Sequence, residues 1–264
     1  MKAVLSDRAI IAVSGPEART FLQGLITNDL TKLTPEAPLY AALLTPQGKI
    51  LFDFLLYERD GAILLDCARA TAEAFEKRLS MYRLRARVDV TSRGDLAVIA
   101  SWNNDAKGDW RDPRLAGLGY RSVAIDYVDE SSLDAYLAHR LDLGVPEGRD
   151  FGQDEMFALD ADLEELNGVS FDKGCYVGQE LTARMKHRGT ARKKLLPIEA
   201  VAGGLPPPGS RVSANGSDLG AITSIYRNHG FALIRVDRLG EAQGAPLESE
   251  GTRVAVKKPS WLFS

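Results

Sequence analysis

The sequence predicts an α+β fold, with strands and helices mixed, closed by an all-β tail. Three observations point there. Helical periodicities and strand-length apolar runs are interspersed through residues 1–192. Residues 193–264 then offer only short strand-like runs between turn residues, which divides the chain into 1–192 and a small β-barrel or sandwich over 193–264. The composition, 45 % hydrophobic and 26 % charged over 264 residues, is that of a chain able to bury a core.

The elements follow in order. After Ser14-Gly15-Pro16, the residues Ala18, Phe21, Leu22, Leu25 and Ile26 recur at the spacing of one buried helix face. Leu39 to Leu44 and Ile50 to Tyr57 flank the turn Thr45-Pro46-Gln47-Gly48-Lys49 and read as a hairpin. Ala62 to Cys67 is a third strand, and Ala70 to Met81 a helix with Ala74, Phe75 and Leu79 inward. Strand character returns at Arg87 to Thr91 and Leu96 to Ser101, and again at Tyr120 to Ile125 after a polar loop from Trp102 to Gly119. Ser131-Ser132-Leu133-Asp134 resembles a capping box for a helix through Leu143, stopped by Gly144. Beyond the turn cluster Gly203 to Gly209, strands are expected at Ala221 to Tyr226, Phe231 to Val236 and Arg253 to Lys257, with Leu195 to Val201 before it. Asn215-Gly216 and Asn228-His229-Gly230 supply hairpin turns, and no helix is expected in this part.

A net charge of −3 gives no global basic field for nucleic acid, and no apolar run has the ~20 residues of a membrane span. Asp7 and Arg8 interrupt any would-be signal segment, and two cysteines are too few for a disulfide framework. With three histidines they form no metal-site spacing. These features predict a cytoplasmic, reduced protein that needs no metal of its own.

Local charge singles out one region. Glu147 to Asp172 holds nine acids and one base, and Lys173 to Lys194 holds seven bases and one acid. The two blocks can simply neutralise each other, or Lys173, Arg184, Lys186 and Arg188 can line an anion site. At their junction stands Lys173-Gly174-Cys175-Tyr176-Val177-Gly178-Gln179-Glu180, ahead of a helix through Leu181, Met185 and Arg188. A helix N-terminus and Lys173 both favour a thiolate at Cys175, while Cys67 ends an apolar run and reads as core. A second basic cluster comprises Lys77, Arg78, Arg83, Arg85 and Arg87. Its arginines alternate with apolar residues from Tyr82 to Val90, a strand-like pattern that places them on one face.

That octapeptide resembles the signature of the YgfZ family, folate-binding proteins of iron–sulfur assembly. Phe21-Leu22-Gln23-Gly24, Thr27-Asn28-Asp29, Gln47-Gly48-Lys49, Tyr82-Arg83-Leu84-Arg85, Gly144-Val145-Pro146-Glu147 and Arg184 to Gly189 follow in family order. The resemblance implies the fold of the glycine cleavage T protein, a tetrahydrofolate-dependent aminomethyltransferase, in lobes around a central opening with a C-terminal β-barrel. It implies support of iron–sulfur enzymes, with Cys175 as the reactive thiol and tetrahydrofolate or a derivative as ligand. Within it, Glu180 or a nearby acid pairs with pterin donors and Tyr176 or Tyr136 stacks on the ring. Lys173, Gln179, Arg184, Arg83 and Arg85 supply the remaining polar and tail contacts. Arg8 to Ile11 stand where some bacterial relatives carry an aromatic, so one wall of the slot is built differently here. Expected partners are iron–sulfur client enzymes or assembly proteins, met by a monomer; no membrane or nucleic acid is expected. A folate-dependent aminomethyltransferase and a non-catalytic interaction module remain as alternatives, and no defined reaction follows from the sequence.

Overall fold

The computed structural model describes residues 1–264 except 104, 105, 126, 128–130, 190, 191, 243 and 264. In chain order the first elements are β1 (Lys2–Val4), β2 (Arg8–Ser14), α1 (Ala18–Gln23), β3 (Leu39–Leu44), β4 (Ile50–Arg59), β5 (Ala62–Ala68) and α2 (Ala72–Arg83). β6 (Asp89–Ser92), β7 (Ala97–Ser101), β8 (Trp110–Arg111), β9 (Tyr120–Ala124), α3 (Leu133–Asp142), α4 (Gly148–Phe151) and α5 (Gln179–Arg188) follow. The tail comprises β10 (Lys193–Ala200), β11 (Arg211–Ala214), β12 (Ser217–Tyr226), β13 (His229–Arg235), α6 (Val236–Glu241), β14 (Leu247–Ser249) and β15 (Thr252–Val256).

Every strand pair is antiparallel among the described residues. A five-stranded sheet runs β3-β4-β5-β2-β6, and a four-stranded sheet runs β1-β7-β9-β8. Side chains of a strand alternate between faces, and the five-stranded sheet uses both. Ile11, Val13, Ala41, Leu43, Phe52, Phe54 and Leu65 pack with Phe75 and Leu79 of α2 and Leu22 of α1. Phe75 lies 4.7 and 4.8 Å from the rings of Phe52 and Phe54. The intervening residues Ile10, Tyr40, Ala42, Leu55, Tyr57 and Leu64 meet Val98, Ala100, Trp102, Trp110 and Val123 of the second sheet. Arg8, Asp53 and Asp66 share the parity of Ile10, Leu55 and Leu64, so the same alternation sends three charged side chains into the space between the sheets.

The tail closes as a barrel in the order β10-β13-β12-β11-β14-β15, with β10 pairing β15. Asn215 and Gly216 turn β11 into β12 with φ of 49° and 77°, as a tight hairpin requires. The barrel rests on the preceding fold through Ser224, whose hydroxyl donates to Asp150 of α4 at 2.6 Å, and through Lys194, whose amine donates to the Leu159 carbonyl at 2.9 Å.

Three sequence expectations are corrected. α6 stands in the tail where no helix was expected. Tyr82 to Val88 is not strand: α2 continues to Arg83 and a turn follows, because Phe75, Leu79 and Tyr82 form one helical face against the sheet. The loop expected from Trp102 to Gly119 carries β8 at Trp110–Arg111, and residues 104 and 105 of it lie outside the described ones.

Candidate functional site

A cavity of about 510 Å³ opens where β2, β4 and β5 meet α4. Leu51, Phe52 and Phe151 give it apolar walls, Asp53 and Glu147 place carboxyls in it, and Arg8, Arg69 and Arg149 bring guanidinium groups. Such a volume, mostly apolar with a few convergent polar groups, is that of a small-molecule site. Exposed Arg149 leans on Asp7 at 2.5 Å, and Arg69 donates to the Ser6 carbonyl at 2.7 Å, which positions both cations at the rim.

Beneath the cavity lies a buried charge network. Arg114 grips Asp112 through two hydrogen bonds of 3.0 and 2.8 Å and donates to Glu147 at 2.8 Å. Arg121 donates to Asp112 at 3.2 Å, Arg140 to Asp150 at 2.6 Å, and Arg8 to Asp66 at 2.6 Å. Burial alone would raise the Glu147 carboxyl, but Arg140, Arg114, Arg8 and Arg121 outweigh it and hold Glu147 well below the usual carboxylate range. Asp53 is pushed the other way. Burial raises its pKa and Arg8 only partly opposes this, while Glu147 adds repulsion. The cavity therefore pairs a fixed anion at Glu147 with a carboxyl at Asp53 that holds its proton more tightly than usual, two environments that suit two roles.

Gly148 starts α4 against Asp53. A Cβ there would stand 2.8 Å from Asp53 Oδ1, which is also the group whose second oxygen accepts from the Tyr40 hydroxyl at 3.2 Å. Gly148→Ala is expected to lower stability by about 1 kcal/mol, the low end for overpacking because a carboxyl can rotate away. Urea denaturation measures the loss, and carboxyl NMR should show Asp53 as the acid whose titration moves most. An unmoved Asp53 would sink the contact.

The cysteine octapeptide forms a loop with alternating anchors. Lys173 points inward, its amine donating to the carbonyls of Gln23, Ile26 and Asn28 at 2.7, 2.6 and 2.8 Å. Tyr176 is buried in the core between the sheets, 5.0 Å below the Lys173 amine. Gly178 has a φ of 81° and approaches the Thr45 carbonyl so closely that a Cβ would lie 2.4 Å from it; only glycine fits. Gly174, by contrast, faces open space. Gln179 caps the loop by accepting from the Tyr176 amide at 3.3 Å. Between these anchors Cys175 is exposed, whereas Cys67 is buried and its thiol is pushed up to about 12 by burial. The loop thus holds one thiol outward.

The residues expected to contact a cofactor fall elsewhere. None of the eight, Lys173, Tyr176, Gln179, Glu180, Arg184, Arg83, Arg85 and Tyr136, lines the cavity. Tyr136 is buried, with its hydroxyl accepting from Arg121 and its ring against Trp102, so it has no free face to stack on a ligand. Tyr176 and Lys173 are committed to the core and to carbonyls. Glu180 and Arg184 pair with each other on the surface of α5 at 2.9 Å. Arg83 ends α2 and Arg85 follows it, whereas the opposite end of that helix adjoins the cavity at Ala70 and Thr71; the twelve-residue helix is ~18 Å long. The acids that do line it were missed. Asp53 in Ile50-Leu51-Phe52-Asp53-Phe54-Leu55-Leu56-Tyr57 was their visible signal, an acid inside an apolar strand.

Two antiparallel sheets with such a cavity, followed by a closed C-terminal barrel, make up the aminomethyltransferase fold. The glycine cleavage system aminomethyltransferase T from Bartonella henselae shares it with a TM-score of 0.75 at 17 % identity, over 98 % of this chain and 85 % of that one. The C-terminal β-barrel domain family of CAF17 matches residues 192–264. Along the whole chain, the iron–sulfur cluster assembly factor IBA57 of Homo sapiens, a mitochondrial protein, is 33 % identical over 302 residues, covering 97 % of this chain and 84 % of that protein. The mitochondrial IBA57 homologue of Mycosarcoma maydis is 35 % identical over 238 residues, covering 79 % and 59 %. The chain belongs to the family of the iron–sulfur cluster assembly factor IBA57. Its relatives correct one expectation: they are mitochondrial proteins, and the cytoplasmic location expected from the sequence does not stand.

Proposed function

We propose that this chain is an iron–sulfur cluster assembly factor that binds a reduced folate in the cavity and offers the exposed Cys175 thiol to a partner protein. The observation that carries the ligand is the pairing of ionised Glu147 with Asp53 in one apolar-walled cavity. A pterin presents an amino group and a ring N–H side by side, and the fixed Glu147 carboxylate can accept from them. Leu51, Phe52 and Phe151 suit its planar ring, and Arg69 and Arg149 at the rim suit an anionic tail. A bound tetrahydrofolate would supply a carrier nitrogen for a one-carbon unit. The chain's own part is to orient the ring through Glu147, to hold or release a proton at Asp53, and to keep Glu147 in place through Arg114.

Cys175 does not line this cavity. The reading therefore separates the ligand from the thiol. One thiolate falls short of the four that a [4Fe–4S] cluster takes, so any cluster contact is shared with the partner.

Two assays test the halves independently. Anaerobic calorimetry with tetrahydrofolate is expected to show saturable binding by the wild type and by Cys175→Ala, weakened at least roughly tenfold in Glu147→Gln through loss of a charge-assisted hydrogen bond. No saturable binding up to millimolar ligand overturns the folate half. In cells lacking the chain, Cys175→Ser is expected to bind folate yet fail to restore iron–sulfur enzyme activities. Full restoration overturns the thiol half.

A further inference from the structure

The basic cluster at the end of α2 is unused by the cavity, and it has an unusual centre. The Ala86 amide donates to the Arg83 carbonyl at 2.8 Å, closing a turn with Leu84 at its tip. Leu84 has φ 45° and ψ −105°, the conformation a type II′ turn reserves for glycine. It is also 89 % exposed, the most exposed large apolar side chain among the described residues, with Met81 beside it at 62 %. A leucine held in a strained turn without a core contact contributes nothing to folding that glycine would not do better. Arg83 and Arg85 adjoin it, and Lys77 and Arg78 stand further back on the same helix. Among the described residues no carboxylate pairs with any of these four, Arg83 donating only to the Val88 carbonyl at 3.2 Å.

The position of this knob relative to the thiol supplies the partner. The turn is tied to the start of α1, where the Arg87 amide donates to Glu17 at 2.7 Å and the Arg87 carbonyl abuts Gly15. The Cys175 loop is tied to the other end of α1 through Lys173 and the carbonyls of Gln23 and Ile26, and Val177 packs into the same core as Phe75 and Leu79. Both features thus flank one short helix, ~9 Å long, on one side of the five-stranded sheet. A single small protein can touch both.

We infer that the Leu84 knob and its cations dock the protein whose iron–sulfur site meets Cys175, through an apolar recess rimmed by carboxylates on that partner. This rests on the iron–sulfur reading above. The aliphatic centre favours a protein over RNA: phosphates are met by cations alone and bases by exposed aromatics, and Tyr82 of this segment is turned into the core.

The test uses purified apo iron–sulfur carrier proteins of the same organism, each titrated with the full chain at about 50 and about 200 mM salt. At least one is expected to bind. Leu84→Asp should weaken it by roughly tenfold or more, as for an interface anchor. Leu84→Gly should weaken it too while the melting temperature holds or rises, which separates docking from folding. Lys77→Glu with Arg85→Glu should weaken binding and flatten its salt dependence, and Cys175→Ser should leave affinity within roughly threefold because docking, not the thiol, carries it. If a carrier binds and the Leu84 and charge variants match wild type, this inference falls and the iron–sulfur reading stands. If no carrier binds, both fall. If single-stranded RNA binds instead, sensitive to Lys77 and Arg85 but not to Leu84, the surface is a nucleic-acid site and the inference is overturned.

Discussion

Arg114→Met is expected to remove about 3–5 kcal/mol of folding stability at neutral pH, the usual range for breaking a buried ion pair from one side. Arg114 is fully buried, bridges Asp112 and Glu147, and lies 5.6 Å from the Tyr40 ring centre. Methionine fills most of the space but leaves two carboxylates to share the remaining arginines. Arg121 still reaches Asp112 at 3.2 Å, and Arg140 is 3.8 Å from Glu147, so neither replaces the lost contact to Glu147 at 2.8 Å. Urea denaturation reads the effect, and a loss below about 1 kcal/mol would contradict the network. Asp112→Asn added to Arg114→Met should return part of the loss, because the two residues are coupled.

The same variant carries a pH signature. Glu147 has a lower pKa in the folded chain than its ordinary 4.5. Such a group adds stability that is complete above the unfolded value and fades as pH falls below it toward the folded one. Arg114→Met gives up part of that term. The gap between wild type and variant is therefore expected to be widest near neutrality and to narrow below pH 4.5.

Much of this architecture could be read from residue periodicity. Leu39 to Leu44 alternates between two apolar cores and so shows in sequence as an unbroken apolar run of strand length; Ile10 to Val13 alternates likewise, in a strand that the sequence expectations leave unassigned. The same rule applied to Asp53 places it between the sheets with Arg8 and Asp66, whereas local charge draws the eye to the segment around residue 173. There Lys173 is an anchor, Glu180 pairs with Arg184 and Lys186 with Glu164 on the surface. Alternation also misled at Arg83 and Arg85, where a period of two persists across a helix end and a turn. There the helical triplet Phe75, Leu79 and Tyr82 wins because it packs on Phe52 and Phe54. The octapeptide drew attention through its resemblance, but a loop has no periodicity. Which of its side chains point inward depends on α1 and the β3–β4 hairpin, both far away in sequence.

Lys173 shows how a signature residue serves by position. At pH 7, Lys173→Met is expected to lower stability by about 2 kcal/mol: three buried carbonyls lose their donor, offset by release from burying a cation. Burial pushes the Lys173 amine down to about 8, with Asp29 opposing weakly. The folded chain thus releases this proton near pH 8, while the unfolded chain holds it to about 10.5. Between those values the unfolded state binds more protons, so wild-type stability gains from this group as pH rises, and the methionine variant lacks the gain. The deficit is expected to widen from pH 8 to 10, and a constant deficit would contradict a buried ammonium. Lys173→Arg should not rescue the loop, because a planar guanidinium cannot aim three donors at carbonyls that converge on one ammonium. With the anchor gone, Cys175 should react with thiol reagents at an altered rate while Cys67 stays protected. The outward position of Cys175 is therefore set by a lysine whose own side chain points the other way.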